Sequence, residues 1–288
     1  MKQLLHTVGI LFLCLVLSNC NQTVKKTEPH TTNSGPLILA LTDQMIEERV
    51  ALSRPIVNKW ITSAFLVANI TNDSQAMQAI TIMRNKCYGL PVAIEGKRGT
   101  HDITAPENPN APGICYTVVT RTDKLLMMPW AGEYNFQIAA SYADSRISLD
   151  AELDALMSNL YLRGLILHHE MHHWKQDVVE KRLGKISRFM VEVEAYEYQF
   201  TLLDRLKLPG YDKFIQEELA KPYLPPNKPY LNERIAQMFG GFTSQVELEV
   251  AGYLMYRRVM FKKYDQDSST ALSKKEVFMR MSSDKSNH

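Results

Sequence analysis

The segment "LILHHEMHHWKQ", residues 165–176, constrains this chain most, because four of its eight histidines fall within six positions around Glu170 and Met171. Side chains four residues apart share one face of a helix, and two such pairs overlap here: His168 with His172, and His169 with His173. Only the second pair reads H-E-x-x-H, with Glu170 directly after its first histidine. That order lets two imidazoles one turn apart clamp one zinc ion while the glutamate projects beside it, where it can take a proton from water. His169 and His173 are therefore the expected ligands and Glu170 the expected general base, with His168 and His172 as neighbours. Leu162, Leu165, Ile166, His169 and His173 recur at spacings of three and four, so the ligand pair continues an apolar, core-facing helical stripe.

A catalytic zinc needs a third protein ligand and an open position. The pattern H-E-x-x-H-x-x-G-x-x-H is excluded, since Gln176 stands at the glycine and Val179 at the last histidine. The reversed motif H-x-x-E-H is absent. A glutamate on a following helix is the remaining common solution, and "FMVEVEAYEYQF" at 189–200 offers Glu192, Glu194 and Glu197.

Together, "HEMHHWKQ" and "EVEAYEYQ" resemble a gluzincin-type metallopeptidase, in which the ligand glutamate follows on the next helix roughly twenty residues later. Twenty residues lie between His173 and Glu194, and the Glu-Ala pair that begins there resembles the form this ligand often takes. The resemblance thus implies His169, His173 and Glu194 as zinc ligands, with Glu192 and Glu197 as alternatives. It covers about 50 residues, Asp150 to Phe200. Tyr198 departs from it, standing four positions after Glu194, where such enzymes often carry an acidic residue that orients a histidine. His101, Tyr196 and Tyr198 are the candidates for a transition-state partner.

The first residues, "MKQLLHTVGILFLCLVLSNC", carry one lysine and an apolar run from Val8 to Leu17 that is too short to span a bilayer. Residues 1–19 read as a signal peptide, and "LVLSNC" resembles a bacterial lipobox, which implies lipidation of Cys20 and a place in the cell envelope. Residues 20–36 are polar and turn-rich, as a tether requires. Of the four cysteines, Cys87 and Cys115 then remain, flanking "EGKRGTHDITAPENPNAPG". Outside the cytoplasm they are expected to form a disulfide, worth about 3 kcal/mol through loop closure.

The net charge of +2 comes from nearly balanced acids and bases without a basic stripe, so nucleic-acid binding is not expected. Helices are expected over "TDQMIEERVALSRPIVNKWITSAFLVANI", with a break near Pro55, over "DSQAMQAITIMRNKC", and without interruption from Leu149 into the histidine segment. The best strand candidates are "CYTVVTRTDKLLMMPW" and "YNFQIAASYADSRISL". Two further helices are expected around Gly240 and Gly241, with a polar tail over 265–288. The fold class is α+β and mostly helical. By resemblance, residues 37–264 form a zincin-like domain with a small sheet on the H-E-x-x-H helix and a helical C-terminal lobe. The function implied is a membrane-anchored zinc peptidase acting on a peptide or protein substrate; a zinc-storing, zinc-sensing or structural surface lipoprotein is the alternative.

Overall fold

The long first helix, α1 (Asp43–Thr71), starts where the Thr42 hydroxyl accepts the Met45 N–H and stops at Asn72, in the left-handed conformation. It runs unbroken through Pro55, contrary to the expected break. Proline deprives the carbonyl four residues earlier of its partner, but Ala51 and Pro55 both lie on the exposed side, where water replaces the lost bond. The computed structural model of the chain describes residues 42–94, 97–127, 139–143, 145–221 and 232–266. The expected signal peptide, Cys20, the tether and residues 267–288 of the tail lie outside them.

Helix α2 (Ser74–Arg84), capped by Asp73, leads into a five-stranded mixed sheet. Its strands are β1 (Lys86–Ile94), β2 (Lys97–Asp102), β3 (Ile114–Val119), β4 (Ala140–Ala143) and β5 (Arg146–Asp150), in the order β2-β1-β3-β5-β4. The neighbours β1, β3 and β5 run parallel, while the outer strands β2 and β4 are antiparallel to theirs. Cys87 and Cys115 face each other across the β1–β3 pairing and are joined in a disulfide. The segment between them, read from sequence as a loop, holds β2. Its glycine-facing register is what admits it: a side chain at Gly89 would meet Thr100 Cγ2 at 2.6 Å.

The expected strand "TRTDKLLM" is instead the short helix α3 (Arg121–Met127). Thr120 starts it: its N–H and hydroxyl donate to Asp123 Oδ2, and Arg49 of α1 holds both oxygens of that carboxylate at 2.7 and 2.9 Å. Two helices replace the single one expected before the histidines, α4 (Ala151–Leu156) and α5 (Leu160–Trp174). Asn159 makes the break by capping α5: its side chain accepts the Leu162 N–H and donates to the Phe239 and Gly241 carbonyls. A single π turn, Lys175–Val179, extends α5. Then come α6 (Arg188–Arg205), α7 (Tyr211–Leu219), α8 (Glu233–Phe239) and α9 (Gln245–Gln266).

Helix α5 is the centre of the molecule, packed by α1, α6 and the β4–β5 edge of the sheet. Gly164 permits the approach of α1, since a Cβ there would lie 2.4 Å from the Ser63 carbonyl oxygen. Beneath it, Asp154 gathers Lys59 at 2.9 Å, the Trp60 Nε1–H at 2.8 Å and the fully buried Arg163 at 3.4 Å. At its N-terminus the Asn159 N–H donates to Glu247 of α9 at 2.5 Å, which fixes the C-terminal helices against the same element. Among the described residues no helix is long and apolar enough to cross a membrane.

Candidate metal centre

The last turn of α5 and the first turns of α6 converge on three donors: His169, His173 and Glu192. The two Nε2 atoms are 3.2 Å apart, and the Glu192 oxygens stand 3.5 Å from His169 Nε2 and 3.6 Å from His173 Nε2. Ligands about 2.0–2.1 Å from a tetrahedrally held zinc are separated by about 3.3 Å; the two histidine nitrogens have that spacing, and Glu192 approaches it with Oε2 at His169 and Oε1 at His173. Both histidines are buried.

Their charges reflect this crowding. Burial acts on Glu192 to raise its pKa, but its bonds and proximity to His169 and His173 win and hold it well below the usual carboxylate range. His173 is pushed up to about 9: burial opposes protonation, and the Glu192 and Glu170 carboxylates outweigh it.

Glu194, the third ligand implied by the resemblance, is turned elsewhere. Its carboxylate accepts from both Arg182 nitrogens, at 2.7 and 3.0 Å, and from Gln176 Nε2 at 2.9 Å. Helical residues two apart point about 200° from each other, so Glu192 and Glu194 cannot both reach the histidines. Glu194 nevertheless bears on the site through Gln176. The Gln176 amide donates to Glu194 and to the Val191 carbonyl, which leaves its Oε1 to accept the His173 Nδ1–H at 3.1 Å. That bond fixes the His173 tautomer with Nε2 toward the other two donors, the part an outer hydrogen bond plays for metal-binding histidines. It fills the place left by Tyr198, which stacks on His172 with ring centres 5.1 Å apart. Glu197 is not one of the three donors.

Glu170 is buried beside the two histidines, with its carboxyl raised above the ordinary range by burial; the histidines and the Tyr142 backbone N–H oppose this. Tyr142 lies on β4, the sheet edge nearest the site. Its hydroxyl donates to Asp177 of the π turn at 2.6 Å, and its ring centre is 6.4 Å from that of His173. The other two histidines are occupied in packing. His168 is fully buried, donates Nε2–H to the Ala64 carbonyl at 3.0 Å, and is held neutral by burial, with its pKa lowered to about 4. Burial lowers His172 similarly, to about 4.

His101 is exposed on β2, at the sheet edge opposite β4, and is no partner for this chemistry. Tyr196 lies tilted against His169, 4.5 Å between ring centres, and the Arg257 guanidinium lies 4.6 Å from the centre of the Tyr196 ring. Gln176, Tyr142 and Arg257 escape the sequence reading. Gln176 has a signal, a polar residue three positions after His173; Arg257 has none, being 84 residues beyond that histidine. Comparison of the chain with protein families, curated proteins and solved structures finds no match.

Proposed function

We propose that the chain is a zinc-dependent peptidase of zincin-like build, with His169, His173 and Glu192 as the metal ligands and Glu170 as general base. The observation that carries it is the convergence of two buried histidines and the half-buried Glu192 on one point, next to a buried carboxyl that is not one of them. Bound there, zinc supplies Lewis acidity, acidifying water and polarising a substrate carbonyl. Glu170 takes the proton from the attacking water and returns it to the leaving amine; its raised basicity suits both steps. Gln176 keeps His173 in register.

Strand β4 supports a peptide as the substrate. Among the described residues it is an edge strand beside α5, and an edge strand can pair with an extended backbone by strand addition. The storage alternative calls on all four histidines, whereas His168 is bonded to the α1 backbone and His172 is stacked on Tyr198. The lipid anchor on Cys20 and an envelope location belong to this proposal on the strength of the N-terminal sequence.

The test is zinc content and peptide turnover in the wild type, His169→Ala and Glu170→Gln. One zinc per chain with turnover is expected in the first, loss of both in the second, and zinc without turnover in the third. Full turnover by Glu170→Gln would remove the proposed base.

A further inference from the structure

The cation beside the site carries the argument further. Among the described residues, Arg257 of α9 makes neither hydrogen bond nor ion pair; it lies on the Tyr196 ring, 4.6 Å from its centre. Its sequence neighbour Arg258 instead holds Asp204 through two bonds. Burial lowers the pKa of Arg257 only to about 10, so it is charged at neutral pH, and the charge it feels most is that of Glu192.

Among the described residues no carboxylate pairs with Arg257, so its guanidinium is a positive charge beside the site without a counterion. A guanidinium without a partner is a fork for a carboxylate, which it binds through two parallel bonds. Tyr196 touches both groups: its ring centre is 4.5 Å from that of His169 and 4.6 Å from the Arg257 guanidinium, so the guanidinium lies no farther from the His169 ring than the sum of those two distances. An extended chain advances about 3.3–3.6 Å per residue, so a carboxylate at that remove ends a fragment of one or two residues beyond the scissile carbonyl. The N-terminus of a peptide is cationic and would be repelled.

We propose that Arg257 binds the free α-carboxylate of the substrate, so that the enzyme removes short fragments from peptide C-termini. This rests on the peptidase reading and names the substrate class of the same site.

The test is binding of matched short peptides that end in a free acid or in an amide, by calorimetry on the full-length, zinc-loaded Glu170→Gln protein, where nothing is turned over. The acid should bind about 10- to 100-fold more tightly than the amide, as a charge-assisted bidentate bond allows. Adding Arg257→Gln should collapse that ratio to about one, and Arg257→Lys should restore part of it. Zinc content and the far-ultraviolet spectrum report that each variant is folded. Equal binding of acid and amide, or a ratio that survives Arg257→Gln, overturns the proposal. So does an amide ending in glutamate that binds as well as the free acid, since the ligand would then be a side chain. The wild type, given the same peptides, separates the two readings: cleavage of acid and amide alike keeps the peptidase and removes the C-terminal specificity. An acid preference in binding with no cleavage of either keeps the carboxylate site and removes the peptidase.

Discussion

Replacing Glu192 and Glu194 separately by glutamine tests the ligand assignment where sequence and structure differ. A four-ligand protein zinc site binds with about 10–16 kcal/mol, so one ligand is worth about 3 kcal/mol, a factor of about 100 or more in affinity. Glu192→Gln should lose that much, because among the described residues Glu192 is the carboxylate grouped with the two histidines. Glu194→Gln acts at one remove, by loosening Gln176 and releasing Arg182. Outer partners of metal ligands are worth about 10- to 100-fold, and with two hydrogen bonds in the relay the lower end, about tenfold, is expected. Competition against a chromogenic chelator at neutral pH measures both. The metal-free proteins give an independent reading: Glu192→Gln removes the largest of the contributions that lift His173 to about 9, so its imidazole should titrate clearly lower by NMR. A greater loss of zinc in Glu194→Gln than in Glu192→Gln, with His173 still raised in the latter, would refute the assignment.

Three further outcomes follow from the same geometry. In the metal-free protein the raised His173 contributes stability that is fully present below pH 6.5 and lost as pH rises through about 9, while the lowered His168 and His172 contribute stability present above 6.5 and lost as pH falls toward about 4. Each shift is worth about 3 kcal/mol, so denaturation midpoints should peak near neutrality. Zinc should abolish the alkaline loss, since it requires His173 deprotonated; identical alkaline limbs with and without zinc would count against the site. Asp154→Ala should destabilise by about 3–5 kcal/mol in chemical denaturation because it strands the fully buried Arg163; a loss under 1 kcal/mol would mean that the pair is dispensable. Gly164→Ala should cost about 1–3 kcal/mol or more, since the 2.4 Å obstacle is the α1 backbone and cannot rotate away; a neutral effect would show that the two helices separate freely.

The histidine helix was legible because one pattern served two purposes. The spacing that puts His169 and His173 on one face also continues the apolar stripe that buries them, so local chemistry and packing pointed the same way. The sheet was half legible. β3 and the β4–β5 pair carry β-branched and alternating residues, whereas β2, "KRGTHD", is polar and glycine-bearing and exists through its pairing with β1. Nothing local marks such a strand, because its stabilising partner lies elsewhere in the chain. The α3 helix was misread for a related reason: "TDKLLM" has strand-like apolar residues, but Asp123 closes a helix cap and is locked by Arg49 from 74 residues away.

The third ligand was harder to place, because choosing among Glu192, Glu194 and Glu197 means knowing the rotation of α6 about its own axis. A helix packed on one side reveals that rotation as a single polar stripe. Helix α6 is packed on two: Val193, Ala195 and Tyr196 are all buried, and Phe200 and Tyr196 meet Phe261 and Arg257 of α9 while the other side meets α5. With apolar residues nearly all round, the pattern fixes no face, and the irregular connector from Glu180 to Ser187 converts no residue count into an angle. What the sequence did contain was a competitor. Arg182 lies within that connector, and a guanidinium there takes one glutamate out of contention by pairing with it. Counting cations near candidate carboxylates would have divided the three more reliably than counting residues from the histidines, because an ion pair and a metal ion compete for the same lone pairs.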